Sequence, residues 1–195
     1  WLERLPQQFS GVVLANEVFD ALPVHVVAWR ADGIFERGVA LEGERFVWRE
    51  QPAQGALLAA AQALQATRDL PLPYVSEINL AAQALARSLG HILSQGCLLI
   101  LDYGFLSEQY YHQQRATGTL MCHYQQRAHD DPFFLPGLQD ITAHVDFSAL
   151  AQAGREAGLT TAGYASQAQF LIRGGITDLL AQIDAGDAAA YLPFA

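Results

Sequence analysis

The sequence predicts an α/β fold built on a parallel sheet, and three of its features do so. A short apolar run, Gly11-Val-Val-Leu-Ala-Asn16, leads into Glu17 and Asp20. A helical stretch ending at Gly96 is followed by a second apolar run, Cys97-Leu-Leu-Ile-Leu-Asp102, and by Tyr103-Gly104. Between them lie alternating segments broken by the turn dipeptides Asp32-Gly33 and Glu42-Gly43. The helix, apolar strand and Asp-Tyr-Gly form a β-α-β rhythm that implies a parallel sheet with its polar strand ends on one side. Ligands of open α/β sheets bind outside that edge, so Glu17 and Asp102 are expected to face one crevice.

The elements follow in order. Residues 24–31, 34–41 and 44–49 read as a three-stranded meander. Pro52 opens an Ala/Leu/Gln-rich helix to about Ala66, which Arg68-Asp-Leu-Pro71-Leu-Pro73 ends. Ser76 stands as the N-cap of the next helix and Glu77 in its first turn as a dipole partner, with Leu85, Leu89, Ile92 and Leu93 on one face and Gly96 as the stop. From Phe105 to Val145 periodicity is lost while Tyr, His, Arg, Pro and Gly abound; 105–145 is expected to cover the active site. Asp146 caps a helix to Gly158, Leu159–Tyr164 reads as a strand, and Ser166–Leu171 as a helix. Without repeats or linkers, residues 1–195 read as a single domain with the 24–49 meander as an insertion.

Composition narrows the function. At 51% hydrophobic and 16% charged the chain is globular, and no apolar run reaches the roughly 18 residues of a membrane span. No basic segment leading into an apolar core precedes Trp1, so no secretory leader is read and the start looks like a cut. All eleven basic residues are Arg against twenty acids, for a net charge of -9. That disfavours nucleic acid and anionic bilayers and suits a basic partner segment. Two scattered cysteines, Cys97 and Cys122, point to a reducing compartment rather than a disulfide framework. Cys122, His123 and His129 fall short of the spacing of a four-ligand zinc site, so no metal is expected. No Gly-x-Ser-x-Gly elbow occurs, which removes a hydrolase reading.

Residues 15–23, Ala-Asn-Glu-Val-Phe-Asp-Ala-Leu-Pro, resemble the signature of the MidA-type S-adenosylmethionine-dependent methyltransferases, with Val18 where an aromatic is usual. The likeness continues in order through Leu101-Asp102-Tyr103-Gly104, Tyr110-Tyr111, Arg115, Gly118-Thr119-Leu120, His129, Pro136-Gly137 and Gln139-Asp-Ile-Thr-Ala-His-Val-Asp-Phe147. It implies a Rossmann-like methyltransferase domain using S-adenosyl-L-methionine. It also implies a protein substrate with an exposed Arg segment, since mitochondrial members of the family modify an arginine of a complex I subunit. A cytoplasmic location in a bacterium, or the mitochondrial matrix in a eukaryote, would follow, and a homodimer is compatible. The family's glycine-rich loop and ribose-binding acid precede the Asn-Glu signature and have no counterpart between Trp1 and Ser10; its terminal Phe-Lys-Val strand would follow Ala195. The resemblance thus implies a partial domain, the substrate half, inactive on its own.

Methyl transfer from a sulfonium is an in-line displacement, in which the protein aligns the nucleophile and shapes the field. A guanidinium acceptor, with a pKa above about 12, is held rather than deprotonated, and paired carboxylates suit its planar fork. Glu17 is assigned that role with Asp20 or Asp146 as partner, and His144 as a proton acceptor or relay. Asn16, Asp102, Tyr103, Gln139, Asp140 and Asp146 are expected to bind substrate, with Asn16 also a candidate for the amino-acid end of the cofactor. A bland reading stands beside each: Glu17 and Asp20 as caps of the next turn, Asn16 and Asp102 as turn formers, His144 as structural. A non-catalytic module holding an Arg-bearing segment in its acidic crevice is the rival function.

Overall fold

The computed structural model describes residues 3–182. They fall into two compact units, one through Thr160 and one from Thr161.

The first unit contains two main sheets. Strands β1 (Phe9–Asn16) and β6 (Leu93–Leu101) pair in parallel, with Asn16 opposite Leu101. Helix α2 (Leu80–Ile92) connects into β6 and, with α4 (Phe147–Glu156), covers one face of the pair through Ala15, Phe19, Ala82, Ala86, Leu89, Leu150 and Ala153. The other face is open: Val12 is 62% and Leu14 64% exposed, and Cys97 is exposed as well. The expected strand at 97–102 is therefore present, starting earlier and only half-buried. Gly96 lies inside it rather than ending the helix. It sits opposite Gly11 at a positive φ, where a Cβ would overlap the Gly11 carbonyl oxygen, so the approach of the two strands requires glycine.

The second sheet is antiparallel in the order β4-β3-β2-β5, from β2 (His25–Arg30), β3 (Gly33–Glu42), β4 (Arg45–Pro52) and β5 (Tyr74–Ile78). Both expected turns form, and α1 (Gly55–Thr67) packs behind the sheet on Val27, Trp29, Tyr74 and Ile78. Trp29 is fully buried and donates its indole N–H to the Ala61 carbonyl at 3.2 Å. Pro52 closes β4 instead of opening α1.

Strand β5 corrects the sequence reading. Ser76 and Glu77 do not begin a helix; they are buried in β5, and the N-cap of α2 is Asn79, whose Oδ1 accepts the Ala82 N–H at 2.8 Å. Pairing with β2 and burial of Tyr74 and Ile78 outweigh the local preference of a Ser-Glu pair for a helix start.

Residues 105–145 carry short elements: β7 (Gly104–Phe105), α3 (Ser107–Tyr110), a 3-10 turn at 113–115, and a small sheet β10-β8-β9 from β8 (Met121–Tyr124), β9 (Arg127–His129) and β10 (Asp140–Thr142). Strands of three or four residues are too short to show a period. Between them the strap 116–120 runs along β5, where Val75 N–H donates to the Ala116 carbonyl at 2.9 Å. Strand β11 (Val145–Asp146) pairs with β7 and leads into α4. The expected strand at 159–164 is irregular backbone; Leu159 N–H instead closes α4 onto the Gly154 carbonyl.

The second unit, as far as it is described, holds α5 (Gln167–Arg173) and α6 (Ile176–Leu180). Ser166 and Gln169 form a reciprocal capping box at the start of α5.

Candidate active site

The ends of β1 and β6 are clasped together. Glu17 N–H donates to the Leu101 carbonyl at 2.9 Å, and the Asp102 carboxylate accepts from Phe19 N–H at 2.9 Å, Asp20 N–H at 3.4 Å and Tyr103 N–H at 3.0 Å. Asn16, Glu17, Asp20, Asp102 and Tyr103 thus share one strand-end region. Ala143 N–H donates to the Asp20 carbonyl at 3.0 Å, which ties the 140–145 segment to the same edge. From the other side Asn79 Nδ2 donates to the Phe19 carbonyl at 3.4 Å, so the cap of α2 also holds the turn after β1.

The individual side chains differ in state. Glu17 is exposed and has a φ of 50°, a left-handed conformation that a residue with a Cβ adopts at a cost. Asn16 is exposed and Tyr103 is 62% exposed. Asp20 is 8% exposed, and its Oδ1 is buried without a hydrogen-bond partner among the described residues. Burial, then the charge of Asp102 and, more weakly, that of Asp140, raise its carboxyl above the ordinary value against the lowering pull of the Ala21 and Asp20 backbone N–H groups. An unpartnered carboxylate oxygen beside two further acids favours a cationic donor.

Three predicted residues are occupied otherwise. Asp146 caps α4, with Oδ1 accepting from Ser148 N–H and Ala149 N–H at 3.0 and 3.1 Å, and it also accepts the Ser107 hydroxyl at 2.7 Å. Burial raises its carboxyl against the lowering effect of those bonds. Gln139 uses its amide to donate to the Asp131 and Pro132 carbonyls, holding its own loop. His144 stacks on Phe105, with ring centroids 5.2 Å apart, and its backbone N–H donates to Thr119 Oγ1 at 3.1 Å.

The sequence reading missed the residue that organises this half of the site. Glu77 is 1% exposed, and its carboxylate accepts from Thr119 N–H, Thr119 Oγ1, Leu120 N–H and the Tyr110 hydroxyl at 2.9 to 3.3 Å. Thr119 in turn holds His144, so Glu77 sets the strap and, through it, the histidine. Its signal was the strand-like Tyr74-Val75-x-x-Ile78 around it.

Two arginines line a cleft of about 360 Å³ beside this network, with Val26, Trp48, Val75 and His144 among its walls. Arg37 lies over the Trp48 ring at 4.9 Å and Arg115 over the Phe105 ring at 3.9 Å.

A family model for S-adenosyl-L-methionine-dependent methyltransferases matches residues 1–165. The chain belongs to this family. Among similar proteins is the Drosophila melanogaster mitochondrial protein arginine methyltransferase NDUFAF7 homolog, 31% identical over 185 residues, covering 88% of this chain and 38% of that one. The Danio rerio NDUFAF7 is 33% identical over 76% of this chain and 33% of its own length. A Burkholderia thailandensis protein solved bound to S-adenosyl-homocysteine is 52% identical with a TM-score of 0.92, over 99% of this chain and 49% of that one. The chain therefore spans about a third of the curated relatives and half of the solved one, and its fold is the Rossmann-like methyltransferase fold of that relative.

The cofactor of this family is S-adenosyl-L-methionine. Its methionine end carries an ammonium and a sulfonium, and the exposed Asn16 side chain at this edge offers an amide oxygen that can accept from that ammonium. Among the described residues no Gly-x-Gly turn follows a strand to hold the rest of the molecule. No described helix is long and apolar enough to cross a membrane.

Proposed function

We propose that this chain forms the acceptor side of a methyltransferase that modifies an arginine of a protein substrate. The observation that carries the reading is Asp20: a buried carboxyl with an unpartnered Oδ1 beside Asp102 and Asp140, at the tip that also presents exposed Glu17. A guanidinium has five donors in a planar fork and remains charged near neutrality. Glu17, free to move at the rim, and Asp20, fixed beneath it, divide the work of gripping that fork. Charge drawn toward the gripped nitrogens leaves the remaining one more nucleophilic. Asn16 orients the cationic end of the cofactor, which when bound supplies the activated methyl group.

The similarity to protein arginine methyltransferases supports the acceptor class. The test is Glu17→Gln in the full-length enzyme: methyl transfer to arginine peptides is lost, while affinity for S-adenosyl-homocysteine, measured by calorimetry, stays within a few-fold. Unchanged turnover refutes the assignment.

A further inference from the structure

The cleft beside the acidic edge is lined by two arginines, Arg37 and Arg115, whose hydrogen-bonding capacity the protein leaves largely unused, together with Glu77 and Asp130. Arg37 sits in a row across the sheet with Val26, Glu50 and Glu77 on one face. Among the described residues its one acidic contact is Glu50, 3.5 Å from Nε, and Glu50 is engaged more closely by Arg30. Arg37 Nε is buried and has no hydrogen-bond partner among the described residues. Arg115 donates Nε to the Gln109 carbonyl at 3.0 Å, and its terminal amino groups have no carboxylate partner among the described residues. Glu77 gives neither arginine a direct hydrogen bond, because its oxygens are taken by Thr119, Leu120 and Tyr110. Asp130, at the rim, forms no ion pair with either arginine among the described residues.

The apolar floor beside these cations has Val26, Val75 and Leu120, and the Trp48 ring lies under Arg37. Its volume, about 360 Å³, is that of a ligand site. It also lies one short step from the acidic edge: Ala143 is bonded to Asp20, and the next residue, His144, lines the cleft.

We infer that this cleft binds an acidic side chain of the substrate protein close in sequence to the methylated arginine, with Arg37 and Arg115 as the carboxylate-reading pair. The segment 140–144 that joins the two places spans at most about 13 Å when extended. The acidic residue is therefore a near neighbour of the arginine in the substrate chain. The arginine enters the acidic edge and its acidic neighbour meets the arginine pair of the cleft, so these two contacts fix which way the substrate chain runs. This deepens the proposed function and rests on it for the identity of the second anchor.

The test uses the full-length enzyme and short labelled peptides with one central Arg in a Gly/Ser/Ala background, in which a Glu or a Gln is walked through the neighbouring positions. Binding is read by fluorescence anisotropy, and methyl transfer separately. The expected result is one position at which Glu binds about tenfold tighter than Gln, as a charge-assisted contact would give. Arg37→Gln and Arg115→Gln each remove most of that preference, while Arg115→Lys keeps it, showing that charge and not folding is at issue. The inference is overturned if no peptide binds, if no position prefers Glu, or if the preference survives both Gln variants. A Glu preference in peptides that are never methylated supports the cleft and refutes the arginine reading. Methylation indifferent to Glu does the reverse.

Discussion

Gly118 has a φ of +85°, and a Cβ built on it would overlap Glu77 Oε1. Gly118→Ala therefore incurs two costs. The left-handed backbone accounts for about 1–2 kcal/mol. Displacement of the buried carboxylate weakens its bonds to Thr119 N–H and Leu120 N–H, each worth about 1.5–3 kcal/mol for a charged acceptor. The single substitution should cost about 3–5 kcal/mol. Glu77→Ala is itself destabilising because it strands the Thr119 and Leu120 amides, but it empties the space that the new methyl needs. In that background Gly118→Ala should cost only the backbone share, about 1–2 kcal/mol. A double-mutant cycle by urea unfolding, with m-values compared to confirm a common denatured state, should give a coupling of about 2–3 kcal/mol. Additivity within about 0.5 kcal/mol would refute the reasoning, since the glycine would then be serving the turn alone.

Asp20→Asn should raise the melting temperature at neutral pH. Because the folded carboxyl titrates above its ordinary value of 3.8, the folded state holds the proton longer than the unfolded chain. Ionisation therefore destabilises the fold as pH rises, and the penalty is complete above the folded pKa. Melting curves of the two proteins should converge at pH values below 3.8 and separate above; parallel curves would contradict the raised carboxyl. Glu17→Gly should be neutral or stabilising by up to about 1 kcal/mol, relief of the left-handed strain being partly offset by added chain entropy, while methyl transfer is lost. A loss of more than about 1 kcal/mol in thermal unfolding would assign the Glu17 side chain to structure instead.

Much of this architecture can be read from local chemistry. The turns at Asp32-Gly33 and Glu42-Gly43 set the meander's register, the Asp146 cap starts α4, and the strand running into Asn16-Glu17 marks the site's edge. Strand β5 is hidden because its two polar residues, Ser76 and Glu77, carry the pattern of a helix start, and the Glu77 carboxylate is satisfied only by Tyr110, Thr119 and Leu120, far along the chain. Asn79, two positions on, carries the same capping chemistry and takes the role. The arginine-lined cleft is invisible for another reason: Arg37 and Trp48 share a face only once the Glu42-Gly43 hairpin has folded, and Arg115 reaches it along the strap. His144 and Gln139 are legible as polar residues in a polar run, but which atoms they spend on their own backbone depends on the folded loop.

Asp102 is a buckle between two strands before it is anything else. Its oxygens take three main-chain amides, so removing its charge loosens the turn that aims Glu17 and shields Asp20. An inactive Asp102 variant would consequently be a poor ruler of substrate affinity, because the geometry being measured would shift along with the charge. Glu17, whose side chain bonds to no neighbour among the described residues, is the position where loss of catalysis can be read as chemistry.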